Sequence, residues 1–212
     1  PEMDLSGTTM ADAMAEIGRV TGALLDTGKF LITLGGEHSI TPPAVKAASR
    51  KYRDLTVLQI DAHADLRESF MGSPHNHACA MRRTLECAPV TQVAVRSLSA
   101  EEAGAVKSLK TTVFYDFNMR QDRSCMGRVV ESLGETVYIT IDCDGLDPAI
   151  MPAVGTPEPG GLSWYETLAL LRKVIESRRV VGCDIVELCP MPGNVAPNFL
   201  CAKLMYKILT YK

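Results

Sequence analysis

Short apolar runs alternate with amphipathic segments along almost the whole chain. Residues 8–26 carry apolar side chains near a 3.6-residue period, which predicts a helix, and the apolar run 30–34 predicts a strand. The same patterns predict further helices over 41–52, 77–87, 99–109, 122–133, 163–177 and 196–210, and further strands over 55–60, 91–95, 111–115, 136–141 and 179–186. Short strands that are apolar throughout and alternate with helices are typical of a parallel sheet covered on both faces. We therefore expect an α/β fold.

Composition narrows the class of protein. The chain has 212 residues, of which 46% are hydrophobic, and we expect residues 1–212 to form one globular domain. The net charge is −3, so there is no basic excess for nucleic acid and no run of lysine or arginine for a membrane surface. No apolar stretch reaches transmembrane length. We expect neither a nucleic-acid nor a membrane partner.

The cysteines indicate a reducing environment. There are seven, an odd number without CxxC spacing, and Cys143, Cys183 and Cys189 lie in or beside apolar runs. We interpret them as buried, reduced thiols, which favours a cytoplasmic location. Because the chain opens on Pro1, we expect part of the N-terminal region to be missing, and a targeting segment there stays open.

Polar segments follow three of the predicted strands and supply metal-ligand chemistry. Ligands bind at the carboxyl ends of the strands in open parallel sheets, so we expect these side chains to meet. Crowded carboxylates repel one another and need cations, and carboxylates with imidazoles but no thiolate favour Mn²⁺ over Zn²⁺. Four aspartates exceed the needs of one ion, whereas two ions bridged by Asp61 and Asp142 use them all. The candidate ligands are His38, Asp61, His63, Asp65, Asp142 and Asp144.

Two ions about 3.5–4 Å apart lower the pKa of a water molecule that they share, which implies hydrolysis of an unreactive carbon or phosphorus centre. Glu187 ends another strand at the same edge, where it could bind a guanidinium through two parallel hydrogen bonds or be a plain surface glutamate. Either His75 or His77 could transfer a proton, and their spacing does not choose between them. Asp184 could orient a ligand histidine or form a structural cap or buried pair.

These motifs in combination resemble those of the ureohydrolases, the family of arginase and agmatinase. The resemblance rests on Gly-Gly-Glu-His-Ser at 35–39, Asp-Ala-His-Ala-Asp at 61–65, Asp-Cys-Asp-Gly-Leu-Asp-Pro at 142–148 and Asp-Ile-Val-Glu at 184–187. It implies a three-layer α/β/α sandwich around a mainly parallel sheet, assembled as a homotrimer or homohexamer.

The same resemblance implies a role for each site residue. It implies two Mn²⁺ ions per chain, although other divalent metals are possible. One ion would be held by His38, Asp61, Asp65 and Asp142, and the other by His63, Asp61, Asp142 and Asp144. His77 matches the catalytic histidine and Glu187 the glutamate that holds the guanidinium. The expected catalytic residues are therefore His77, Asp65 and Glu187, of which His77 and Glu187 also bind the substrate.

Within the family the chain is most similar to agmatinase, over residues 79–83 and 156–161. We therefore expect hydrolysis of agmatine to putrescine and urea, a step of polyamine biosynthesis. The alternatives are arginase, guanidinobutyrase, formiminoglutamase or a hydrolase of aminopropylagmatine. A binuclear metallophosphatase fits less well, because Glu187 would repel an anionic substrate. A non-catalytic subunit stays open, since family members have a longer N-terminal region.

Overall fold

Six strands form one sheet that is parallel throughout. The computed structural model describes residues 2–122 and 124–212. The strands are β1 Leu31–Leu34, β2 Leu55–Ile60, β3 Val90–Val95, β4 Thr111–Tyr115, β5 Thr136–Asp142 and β6 Arg179–Val186. They lie in the order β1-β6-β5-β2-β3-β4, and every neighbouring pair is parallel. The predicted α/β fold is confirmed.

Helices connect the strands, and in the described part of the chain three of the eight begin at a residue whose side chain caps the helix. Thr9 caps the first helix by accepting a hydrogen bond from the backbone of Asp12. Reciprocal capping boxes begin two others, at Ser99 and at Ser163. The helices are α1 Met10–Asp26, α2 Thr41–Lys51, α3 Ala80–Thr84, α4 Ala100–Val106, α5 Asp116–Gln121, α6 Cys125–Glu131, α7 Trp164–Ser177 and α8 Ala196–Tyr211.

Three helix predictions were wrong in extent, and one of them, over 99–109, is the shorter α4 Ala100–Val106. The helix predicted over 122–133, a range that includes a residue outside the described part of the chain, is instead the shorter α6. The separate α5 precedes it, held by an ion pair one helical turn apart between Asp116 and Arg120. The helix predicted over 77–87 is a 3₁₀ turn at His77–Cys79 followed by α3, which ends at Thr84 before the chain enters β3.

The sheet separates two hydrophobic clusters, as the continuous apolar strands predict. Successive side chains of a strand point to opposite faces. On β5, Ile139 packs into the cluster beneath α6, α7 and α8, whereas Tyr138 packs into the cluster beneath α1, α2 and α3. The three layers are therefore helices, sheet and helices.

The chain changes direction across the sheet between β2 and β5. After β2 it moves outward through β3 and β4, and after β5 it moves the other way to β6. Connections that diverge from two neighbouring strands leave a crevice at the carboxyl ends of those strands. Asp61 follows β2 and Asp142 ends β5, so both lie at this crevice.

The cysteines agree with the thiol prediction except at Cys87, which is half-buried, and at Cys189. All seven are free, and Cys143 and Cys183 are buried. Cys189 is exposed, contrary to the prediction, because it lies in the loop beyond β6 and not in the strand. In the part of the chain that the structure describes, no helix combines the length and the apolar character needed to cross a membrane.

Candidate metal centre and active site

One imidazole is surrounded by three carboxylates at the crevice. His38 opens the 3₁₀ turn that follows β1 after a three-residue segment, 35–37, and it is fully buried. Its Nδ1 lies 3.2 Å from Asp61 Oδ2, 3.1 Å from Asp65 Oδ2 and 3.3 Å from Asp142 Oδ2. Within residues 2–122 and 124–212, this buried Nδ1 has no hydrogen-bond partner of acceptable geometry. Three oxygens and one nitrogen converge without satisfying one another, which is the donor arrangement that a divalent cation requires.

A second group of donors lies beside the first and shares one carboxylate with it. His63 Nδ1 lies 2.9 Å from Asp144 Oδ2 and 3.6 Å from Asp61 Oδ1. The two oxygens of Asp61 therefore face two different histidines. Atoms of His38, Asp61 and Asp65, and of Asp61, His63 and Asp144, are close enough together for each trio to contact one ion. Asp142 joins the first trio through its Oδ2 atom.

The spacing of the motifs explains how these side chains are held. Asp61 Oδ1 accepts a hydrogen bond of 2.6 Å from the backbone N–H of His63, two residues on. Asp142 Oδ1 accepts one of 2.9 Å from the backbone N–H of Asp144. Both are Asx-type turns, in which an aspartate bonds the backbone two residues ahead. Asp65 follows with a φ of 53°, a left-handed conformation that is uncommon for a residue other than glycine.

The carboxylates carry more negative charge than the site neutralises. Burial raises the pKa of the Asp65 carboxyl to about 7, and the negative charge of Asp61 adds to this. Burial also raises the pKa of Asp142 well above its ordinary value, with the charges of Asp61 and Asp144 contributing. Burial and the charge of Asp61 raise the pKa of Asp144. A cation bound among these carboxylates would therefore stabilise their ionised form.

A cavity of about 460 Å³ opens onto this cluster. His77 lies at its wall, whereas His75 lines a separate groove beside α1 and α2. The structure thus separates the two histidines that spacing alone did not distinguish. Six of the eight predicted site residues line the cavity. They are His63, Asp65, His77, Asp142, Asp144 and Glu187.

His77 is oriented by Glu37, a residue to which the sequence patterns assigned no role. Glu37 Oε1 accepts a hydrogen bond of 2.6 Å from the backbone N–H of His77. The same oxygen lies 3.0 Å from Nδ1 of the His77 ring. Burial alone would raise the pKa of Glu37, but hydrogen bonds from Ser39 and His77 lower it below its ordinary value. The Phe70 ring meets the imidazole edge-on, with 5.7 Å between ring centroids. Glu37 and Phe70 together hold the His77 imidazole at the cavity wall.

Glu187 lies directly after β6 and faces the same cavity. One carboxylate oxygen accepts a hydrogen bond of 2.6 Å from the backbone N–H of His38. Its own backbone N–H bonds to Gly36 at 2.8 Å, with a φ of 62° at Glu187. A non-glycine residue seldom adopts this left-handed conformation, and such strain clusters at functional sites. Burial raises the pKa of the Glu187 carboxyl.

Asp184 reaches the site only through hydroxyl groups. Its Oδ2 atom accepts hydrogen bonds from Thr41 at 3.0 Å and from Tyr138 at 2.9 Å. Thr140 lies 3.3 Å from Thr41 and 2.9 Å from His38 Nε2. Asp184 therefore belongs to a buried polar network behind His38 and does not contact the imidazole directly.

A model of the arginase family matches residues 2–210. The chain belongs to the arginase family. An N(1)-aminopropylagmatine ureohydrolase of Synechocystis is 43% identical over 204 residues, which cover 94% of this chain and 67% of that protein. An agmatinase of Bacillus anthracis is 39% identical over 173 residues, covering 79% of this chain and 58% of the relative. The chain thus spans 58 to 67% of the length of these two curated relatives.

A solved ureohydrolase structure has the same fold. The agmatine ureohydrolase of Thermoplasma volcanium superposes with a TM-score of 0.86 at 35% identity, covering 96% of this chain and 69% of that one. The resemblance that the motifs indicated is therefore confirmed at the level of family and fold.

Some supporting residues of this arginase-family site were not predicted. Gln59 Nε2 donates to Asp61 Oδ2 at 2.7 Å, and Gln92 donates in turn to Gln59 at 2.5 Å. Both glutamines are buried in strands that are otherwise mainly apolar. A glutamine within an apolar strand could have indicated a supporting role at the site, because a buried amide needs polar partners.

Proposed function

We propose that this protein is a binuclear manganese hydrolase of guanidino compounds. One ion would be held by His38, Asp61, Asp65 and Asp142, and the other by His63, Asp61, Asp142 and Asp144. The observation that carries the proposal is the buried His38 Nδ1 atom, which faces three carboxylate oxygens at 3.1 to 3.3 Å. Nitrogen and carboxylate donors without thiolate suit Mn²⁺.

Two divalent ions, when bound, supply a water molecule that is nucleophilic at neutral pH. The protein side chains then have separate tasks. Glu187 binds the guanidinium, since one of its oxygens is already fixed by the backbone of His38 and the charge suits a cation. His77 donates a proton to the leaving amine, and Glu37 holds the imidazole in place for this transfer. Water adds to the guanidinium carbon, the bond from this carbon to the substituted nitrogen breaks, and urea and an amine are released.

Agmatine is the substrate that we propose, with putrescine and urea as products. The names of the relatives support this choice, because agmatinases and N(1)-aminopropylagmatine ureohydrolases are among them. N(1)-aminopropylagmatine is the second candidate, since the relative with that name is 43% identical. A phosphate ester fits poorly, because Glu187 lines the cavity and would face its negative charge.

A urea-release assay on Mn²⁺-loaded protein tests the proposal. The substrates to compare are agmatine, N(1)-aminopropylagmatine, arginine, 4-guanidinobutyrate and N-formiminoglutamate, with p-nitrophenyl phosphate as a probe of phosphatase activity. We expect the highest kcat/KM with agmatine. Faster turnover of arginine would contradict the choice of substrate, and phosphatase activity without urea release would contradict the class.

We further propose one domain over residues 1–212, a cytoplasmic location and assembly as a homotrimer or homohexamer. The single sheet supports one domain.

An exposed apolar stripe along α8 supports self-association. It is formed by Val195, which directly precedes the helix, and by Phe199, Tyr206 and Leu209. Sedimentation of the purified protein measures the assembly, and a monomer at micromolar concentration would contradict it.

A further inference from the structure

Arg96 joins three segments of the chain through one planar side chain. It follows β3 directly. Among residues 2–122 and 124–212, its guanidinium donates only to backbone carbonyl groups. The shortest of these hydrogen bonds runs from Nη2 to the carbonyl oxygen of Asp144, at 2.7 Å. A guanidinium offers five N–H donors in a fixed plane, so that one group can bind several carbonyl oxygens together. The acceptors are the carbonyl oxygens of Ala94, Asp144, Leu146, Glu158 and Pro159, at 2.7 to 3.4 Å.

The backbone of the same residue holds the segment that carries His63. The N–H groups of Arg96 and Ser97 both donate to the carbonyl oxygen of Ala62, at 2.8 and 2.9 Å. Ser97 also pairs with His63 in an isolated parallel bridge. Arg96 therefore contacts the segment of His63 through its backbone and the turn of Asp144 through its side chain.

The third segment is the loop 155–161, which forms part of the cavity wall. Thr156 Oγ1 donates to Asp144 Oδ2 at 3.1 Å, and Glu158 Oε1 lies 3.9 Å from His63 Nε2. The backbone of this loop packs directly on the guanidinium, because a Cβ atom added at Gly161 would lie 2.7 Å from Arg96 Nη2. The loop thus packs closely against Arg96.

We propose that Arg96 is a positioning residue for the His63–Asp144 half of the metal centre and for the adjacent cavity wall. This inference rests on the proposed function, since it assumes that His63 and Asp144 bind an ion. The other half is held by different contacts, because His38 bonds to Glu187 and Thr140. Loss of Arg96 therefore affects the two ions unequally.

Titration with Mn²⁺ alone, followed by the electron paramagnetic resonance signal of the free ion, tests this asymmetry. In Arg96→Met we expect one of the two ions to bind about 10–100-fold more weakly, the usual cost of removing a group that orients a ligand, while the other ion keeps its affinity. Arg96→Lys should recover part of the loss, because an ammonium still donates to one or two carbonyls. Equal weakening of both ions, or no weakening, would overturn the inference.

The matched control is Arg172→Met, which removes an exposed arginine that pairs with Glu176 on α7. It should bind both ions as the wild type does. A merely structural role for Arg96 would lower the stability without distinguishing between the ions and without rescue by lysine.

Hydrogen exchange of the metal-free protein separates failure of this inference from failure of the proposed function. We expect faster amide exchange over 143–146 and 155–161 in Arg96→Met, and no change there in Arg172→Met. Unchanged exchange would overturn the role of Arg96. A wild-type protein that binds fewer than two ions or releases no urea would contradict the proposed function instead, and the exchange result would still decide whether Arg96 holds the segments together.

Discussion

At the scale of single residues, the site depends on carboxylates whose two oxygens have different partners. Asp61 directs Oδ2 toward His38 at 3.2 Å and Oδ1 toward His63 at 3.6 Å. Asp142 directs Oδ2 toward His38, while its Oδ1 atom accepts the backbone N–H of Asp144. Asp61 is shared by the two donor groups, whereas Asp142 joins the first group and bonds the backbone of Asp144 in the second. We expect each of them to bridge the two proposed ions.

Asp142→Ala should abolish binding of both Mn²⁺ ions. The substitution removes a proposed bridge and leaves each remaining donor group one carboxylate short. Metal analysis after dialysis measures the result, with Asp26→Ala at the exposed end of α1 as the control. One ion retained at wild-type affinity would show that Asp142 does not bridge.

Glu37→Gln should lower kcat for urea release by roughly 10- to 100-fold and change KM little. The variant keeps the shape of the side chain but removes the negative charge that orients and stabilises the imidazole of His77. Steady-state kinetics with agmatine measure both constants, and Glu176→Gln on the exposed face of α7 is the matched control. A change confined to KM would contradict the role of Glu37.

The sequence was informative about residues that act through their own chemistry. Aspartate and histidine after apolar strands predict ligands because strand ends meet at one edge. Glu37 was different, since its partner His77 is 40 residues away and only the folded chain brings them together. Thr140 was missed for the same reason, since its partner His38 is 102 residues away.

At the scale of secondary-structure elements, the crevice is built by close packing of the turn after β5 on the end of β2. This turn is the 3₁₀ segment Cys143–Gly145. A Cβ atom added at Gly145 would lie 2.7 Å from the backbone nitrogen of Asp61. The absence of a side chain at this glycine lets the two strand ends approach.

Gly145→Ala should therefore destabilise the fold by about 1–3 kcal/mol, the usual cost of overpacking, and weaken metal binding as well. Gly104→Ala in α4 is the control, because an added Cβ there meets nothing within 4 Å. Denaturant unfolding and Mn²⁺ titration measure the two effects. If Gly145→Ala kept both the wild-type free energy of unfolding and the wild-type affinity for Mn²⁺, the close packing would be contradicted.

The bounds of helices and strands could be predicted from the sequence where the apolar pattern was long. All six strands and the helices α1, α2, α7 and α8 lie close to their predicted bounds, since burial against the sheet imposes the period. The short α5 was missed because six residues give too few turns to show a period. The extent of α3 depends on the path into β3, which local pattern does not contain.

At the scale of the whole molecule, one parallel sheet brings distant parts of the chain to a single edge. The proposed ligands come from positions 38 to 144, and Glu187 follows from the last strand. Four strand ends meet there because β1, β6, β5 and β2 are consecutive in the sheet. The order of the strands could not be predicted from sequence pattern, since it is fixed by packing between distant segments.

Metal binding should stabilise the whole fold, because it relieves repulsion among buried carboxylates. At a free Mn²⁺ concentration of 100 times Kd, each ion adds about 2.7 kcal/mol to the free energy of unfolding. For a chain of this size the Tm should rise by at least about 5 °C. Thermal unfolding with Mn²⁺ and with a chelator measures this, and an equal Tm in both would contradict a structural contribution from the ions.

The most direct test of the binuclear site is a crystal structure of the Mn²⁺-loaded protein with anomalous data at the manganese edge. We expect two anomalous peaks, one beside His38 Nδ1 and one beside His63 Nδ1, with Asp61 and Asp142 contacting both. A single peak, or peaks away from these donors, would contradict the account.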